Sequence, residues 1–236
     1  MDNSSATRPL ALLIPGLDGT GRLFCQQVAP LQDRYRVRAW EFSKRSRFEL
    51  ADLVEELAEG TRQEAPGTIA VVGESFGGAV AISFVLACPE RVRSLTLVNA
   101  FPVYRNRLRV NLASRFFPAL RWPGLGRLKD LIADRILASE GVSLEGRRTY
   151  YEGLRGVDPA GYRQRLEIIK NVDLVERLPE IKVPTLLMAS GRDKLVPSVR
   201  EARFMAARIP NAKLYEFPRA GHALLLTPGF RLADYI

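Results

Sequence analysis

Cysteine and histidine are scarce in this 236-residue chain, which holds two cysteines, Cys25 and Cys88, and one histidine, His222. Two distant cysteines without C-x-x-C spacing provide no disulfide framework, and with no histidine nearby they provide no zinc site. Both are expected as small buried side chains in a reducing compartment. Long apolar runs are missing too. No stretch approaches the ~20 residues of a membrane span. Leu10 to Ile14, behind the polar Met1 to Arg8, is too short for a signal-peptide core, so a cytoplasmic location is expected. No aromatic-basic signature of a nucleic-acid module accompanies the positive charge, which argues against nucleic acid as a partner. Nothing in the sequence calls for a metal or a cofactor.

What is present suits one well-buried α/β domain with an insertion. Hydrophobic residues make up 47% of the chain, and the net charge of +9 implies attraction to anionic surfaces or ligands without identifying them. Leu10 to Ile14, Thr68 to Val72, Val92 to Val98 and Pro184 to Ala189 are continuous apolar runs, expected as strands buried on both faces. Tyr35 to Phe42 alternates and is expected nearer an edge, and Ala212 to Phe217 supplies a last strand. Helices are expected near Leu23 to Leu31, over Phe48 to Glu64, over Phe76 to Ala87 where Pro89 stops it, near Ser198 to Arg208, and after Pro228. Strands alternating with helices require crossovers, and so predict a mostly parallel sheet of about six strands with helices on both faces. Residues 1–100 and 183–236 form the predicted core. Between them, 101–182 is arginine-rich, helical in pattern and interrupted by Pro118, Pro123, Gly124, Gly126 and Pro159, as a helical cap inserted over the sheet's carboxyl edge would be.

The segment Gly73-Glu74-Ser75-Phe76-Gly77-Gly78 places a serine between glycines just where a predicted strand passes into a predicted helix. A nucleophile on a sharp strand-to-helix bend needs small neighbours, and G-x-S-x-G in that context is a nucleophile elbow; a plain glycine-rich connection is the alternative. The unpaired N–H groups opening the helix would face a developing oxyanion. Glu74 reads as an accommodated polar side chain and is assigned no chemical role; a position close enough to modulate the site is the alternative.

Activating a serine hydroxyl takes a base, and His222, after the last predicted strand, is the one imidazole available. Asp193, in Ser190-Gly191-Arg192-Asp193, lies in a loop at another strand's carboxyl end, where catalytic groups gather in open α/β sheets. It would hold the Nδ1–H of His222 and leave Nε2 for the Ser75 proton. The alternative role for Asp193 is to cap the helix after Pro197. Asn99 stands at the place of a competing acid but is uncharged, and Glu216 lies within a strand. Pro15-Gly16-Leu17-Asp18-Gly19-Thr20-Gly21 follows the first strand, where a second oxyanion donor is required. The N–H groups of Leu17 and Phe76 are the expected pair. A phosphate loop is the other reading of these glycines, but no Gly-Lys-Ser/Thr follows. Asp18 is read as a turn residue, with substrate contact as the alternative.

These motifs, in the order serine, aspartate, histidine, resemble the α/β-hydrolase superfamily. Within it the chain resembles small capped carboxylesterases, including pimeloyl-carrier-protein methyl ester esterases, and, through Pro15 to Gly21 and Gly73 to Gly78, phytyl ester synthase-like acyltransferases. The resemblance implies a serine hydrolase acting on carboxylic esters through an acyl-enzyme. Acyl transfer, or thioesterase or carrier-protein methyl ester esterase activity with the same three residues, is the alternative; a ligand-binding receptor is a further one. Many relatives carry His-Gly where this chain has Pro15-Gly16, and the antiparallel hairpin before the first parallel strand is missing.

From Tyr104 to Lys129 there are seven basic residues and no acid, interleaved with Leu108, Phe116, Phe117, Leu120 and Trp122. Phe116, Phe117 and Trp122 are the candidate substrate-binding side chains. The basic side of this segment would recruit an acyl chain on an acidic carrier or touch anionic lipid. The plainer reading is a solvated arginine face around residues that roof the pocket of a small acyl ester.

Overall fold

The computed structural model describes residues 8–42, 47–116 and 142–236. Six strands, β1 (Leu10–Ile14), β2 (Arg36–Ala39), β3 (Ile69–Glu74), β4 (Val92–Val98), β5 (Thr185–Ser190) and β6 (Ala212–Phe217), form one sheet in the order β2-β1-β3-β4-β5-β6. Every neighbouring pair is parallel. The expected sheet is therefore found.

Two-residue periodicity explains why the central strands are apolar throughout. Leu10, Leu12 and Ile14 join the core on one face with α2 (Leu50–Gly60), α3 (Phe76–Ala87) and α7 (Ser198–Ala206). Ala11 and Leu13 join Val72, Val98 and Met188 on the other face, under α1 (Cys25–Leu31) and the C-terminal turns around Leu225 and Leu232. β2, at the edge, is partly exposed, as its alternation predicts.

Three helices are described between β4 and β5: α4 (Arg107–Phe116), α5 (Leu144–Gly156) and α6 (Pro159–Asn171). The base of this excursion is closed by the antiparallel bridge Val103 to Asp173 and by the Leu174 N–H donating to Pro102 O at 3.0 Å. Pro159 opens α6 at the position where a missing N–H costs nothing, and the Asp158 carboxylate accepts from the Gly161 N–H at 2.6 Å.

Two local expectations are corrected. After Pro228 there is no α-helix but a 3-10 turn, Leu232–Asp234, which buries Leu232 and Ala233. Cys25 is exposed and Cys88 half-buried, since each sits at a helix end rather than on an inward face. No helix among the described residues is long and apolar enough to cross a membrane.

Candidate active site

Ser75 sits between β3 and α3 with φ 53°, a left-handed conformation that non-glycine residues rarely adopt and that costs roughly 1–3 kcal/mol. The neighbouring glycines make the bend sterically feasible. A Cβ on Gly73 would lie 2.7 Å from the Ala81 Cβ, and one on Gly77 would collide with the carbonyl oxygens of Ile14 and Pro15. That second contact also shows the loop after β1 lying directly against the start of α3. The Ser75 N–H donates to Val98 O at 2.9 Å, tying the bend to the end of β4.

Three carboxyl ends of strands converge here. The Ser75 hydroxyl lies 3.0 Å from Nε2 of His222, to which it donates when the ring is neutral, and the Nδ1–H of His222 donates to Asp193 Oδ2 at 2.7 Å. Ser75 and His222 are 8% and 7% exposed. The other oxygen of Asp193 accepts from the N–H groups of Leu195 (2.9 Å) and Val196 (3.0 Å), and the Ser198 hydroxyl donates to Oδ2. Asp193 thus binds the turn that leads into α7 and the imidazole ring together, while the helix itself starts at Pro197 without a side-chain cap. Burial works against its charge, but the His222 ring, Ser198 and the Val196 N–H more than offset that and hold its carboxyl below the usual carboxylate range. Burial likewise opposes charge on His222, yet the carboxylates of Asp193 and Glu74 outweigh it and raise the imidazole to about 9.

Leu17 lies in the loop abutting α3, and Phe76 is the first residue of α3. Among the described residues, neither backbone N–H is engaged by a backbone carbonyl or side-chain acceptor. Asp18 accepts from the N–H and hydroxyl of Thr20, the turn role foreseen for it. Phe116 ends α4, while Phe117 and Trp122 lie outside the described residues. Glu216 points away, paired with Arg203 at 2.6 Å.

Three further side chains stand at the site, of which the sequence reading named Asn99 and Glu74 without assigning them a role and did not name Arg165. Asn99, with φ 48°, donates to His222 O (2.7 Å) and accepts from the Ser190 N–H (2.9 Å), fastening the histidine loop to the end of β5. Arg165 on α6 is 3% exposed and donates to Leu17 O (2.8 Å) and Asp18 O (3.2 Å). Burial pulls its guanidinium below the ordinary range, with Asp18 and Asp158 opposing. A cation beside Leu166, Ile168 and Ile169 was the available signal. Glu74 is 3% exposed and places Oε1 3.5 Å from Nε2 of His222. A single acid in an otherwise apolar strand and helix marked it in the sequence.

A cavity of about 960 Å³ opens between the base of α4 and the 193–201 segment, with Asp193 in its wall. Arg105, Arg107, Arg109, Lys194, Arg200 and the buried Glu201 line it, and its walls include neither Ser75 nor His222.

The model of the alpha/beta hydrolase family matches residues 11–235. The chain belongs to the alpha/beta hydrolase family. This hydrolase is similar to the pimeloyl-[acyl-carrier protein] methyl ester esterase of Nitrosomonas europaea, 28% identical over 85% of this chain and 83% of that protein. It is also similar to RutD of Serratia proteamaculans, provisionally named a carbamate hydrolase, 25% identical over 93% of this chain and 86% of the relative. Among solved structures it shares its fold with a thermophilic esterase from Thermogutta terrifontis, at TM-score 0.81 and 20% identity over 97% of this chain and 88% of the other.

Proposed function

We propose that this hydrolase cleaves carboxylic esters through an acyl-enzyme, with Ser75 as nucleophile, His222 as base and Asp193 as its orienting acid. The observation that carries this reading is the continuous hydrogen-bonded series from the Ser75 hydroxyl through His222 to Asp193. As Oγ bonds to the ester carbon, its proton passes to Nε2 and the carbonyl π electrons move onto oxygen. The N–H groups of Leu17 and Phe76, at a helix N-terminus and its facing loop, receive that oxyanion. Collapse breaks the bond to the alcohol oxygen, which takes the Nε2 proton. Water activated by the same imidazole then releases the acid. The segment between β4 and β5, with its described helices α4, α5 and α6, serves as the cap of this site and selects the acyl chain. Proteins of similar sequence and fold named as esterases support the substrate class.

The test is a panel of p-nitrophenyl esters of increasing chain length with fluorophosphonate labelling. Ser75→Ala should lose the label and lower kcat by roughly 10⁴-fold or more. Label retained in Ser75→Ala would displace the nucleophile. Ester formation when alcohols are added would assign acyl transfer instead of hydrolysis.

A narrower reading, an ester presented by an acidic acyl carrier, is favoured by the cavity beside the site. Five cations around about 960 Å³ create a concentrated positive potential, and arginine forks match phosphate and carboxylate.

A further inference from the structure

His222 is flanked by carboxylates on both ring nitrogens. Asp193 takes the Nδ1–H, and Glu74 lies 3.5 Å from Nε2, the nitrogen that faces Ser75. Glu74 cannot drift away from this position. Its carboxylate accepts from the Gly16 N–H, and it fills the space over Gly16 so closely that a Cβ there would collide with Oε2. The chain before and after it is locked in β3 and α3. The charged groups around the pair are few: Asp193 from the loop after β5, and Asp18 from the loop after β1. Arg165 on α6 reaches that same loop but spends its hydrogen bonds on the carbonyls of Leu17 and Asp18. His222 is therefore the cation available to Glu74 among the described residues.

We propose that Glu74 is a positioning residue for the reaction, a carboxylate anchored on the oxyanion loop that pairs with the His222 imidazolium from its Nε2 side. It stabilises the protonated ring that forms when Ser75 attacks. It also holds the proton on the free enzyme, so the base becomes available only at a more alkaline pH than an isolated imidazole. Burial pushes the Glu74 carboxyl itself up to about 7, partly countered by His222, so the two groups titrate as a coupled unit. Burial of a carboxylate against a single cation also ties the loop carrying Leu17 to the charge on the ring that Ser75 addresses. The proposal rests on the serine hydrolase reading, and the measurement is chosen to separate the two.

The chain has one histidine, so imidazole NMR resonances of the tag-free protein report His222 alone. In Glu74→Gln, which keeps an acceptor for the Gly16 N–H, the His222 titration should move down by about one pH unit or more, the size expected for losing an opposite charge at this distance. The acid limb of kcat/KM should move with it, raising activity about fivefold relative to the plateau one unit below the wild-type limb. Glu74→Asp, which restores the charge, should recover part of both shifts. An unmoved His222 titration in folded Glu74→Gln overturns the proposal, as does a Glu74→Asp titration that follows Gln instead of wild type. Should Glu74→Gln fail to fold, Glu74→Asp and Gly16→Ala, which displaces the carboxylate, must still move the titration away from wild type. Absence of fluorophosphonate label on wild-type Ser75 would instead sink the hydrolase reading and leave the NMR result to stand by itself.

Discussion

Asp193→Asn isolates what the carboxylate does for the imidazole. In the native site Oδ1 accepts two backbone N–H groups, from Leu195 at 2.9 Å and Val196 at 3.0 Å, while Oδ2 faces the Nδ1–H of His222 at 2.7 Å. An asparagine has one oxygen, and the two N–H donors claim it. Its NH₂ group must then point at Nδ1. Facing a donor, the ring gives up its Nδ1 proton and carries it on Nε2 instead, where it can no longer accept the Ser75 proton. The substitution thus leaves the packing intact and reverses the tautomer. By analogy with the same change in other serine hydrolases, kcat should fall by about 10⁴, equivalent to about 5.5 kcal/mol at 1.36 kcal/mol per tenfold. The assay is kcat and kcat/KM on a p-nitrophenyl ester, with thermal melting in parallel and NMR of the single histidine to read the tautomer. Retention of more than a tenth of wild-type kcat, with the Nε2-protonated ring observed, would refute the reasoning.

Other outcomes follow from the same geometry. Arg165→Leu leaves the carbonyls of Leu17 and Asp18 without their buried donor, so kcat should drop by about 10- to 100-fold with KM little changed, as expected for a loosened oxyanion loop; an unchanged kcat would remove Arg165 from that role. Stability should decline as pH rises. His222 is raised to about 9 from 6.5 and Glu74 to about 7 from 4.5, so the folded state holds extra protons. Their contribution is full below the unfolded values and is lost as pH climbs through about 7 and then about 9. A melting temperature that is flat between pH 5 and 9 would contradict this. Replacing Arg105, Arg107 and Arg109 together with glutamine should weaken turnover of a carrier-bound ester by raising KM, while sparing a small p-nitrophenyl ester. Equal rates on both substrates would reject the acidic-carrier reading.

Much of the architecture was legible because burial imposes composition. A strand covered on both faces must be apolar at every position, and β1, β3, β4 and β5 announce themselves that way. Phe76 to Ala87 was likewise readable to the residue, since Ser75 bends the chain at one end and Pro89 blocks continuation at the other. Glu74 could be set beside the site only as an alternative, for a definite reason. Its environment is made by Gly16 and His222, which lie far away in the chain, and no local pattern distinguishes an acid tucked against an imidazole from one turned toward solvent. Arg165 was overlooked similarly, because its partners are backbone carbonyls, which carry no sequence signature. The absent helix after Pro228 is a case where the spacing was too short for periodicity to decide.

By itself the amino-acid order determined the strand and helix alternation and the parallel sheet, and it put forward Ser75, Asp193 and His222 as the candidate serine, acid and base, because local steric demands and solvent exclusion write directly into residue type. The tertiary structure alone decided which side chains serve those three. Asn99 braces the histidine loop, Arg165 reaches down from the helical excursion, and Glu74 shares the imidazole with Asp193, each through contacts between segments more than 50 residues apart. Charge and hydrogen bonding act through space, and only folding brings those segments within their reach.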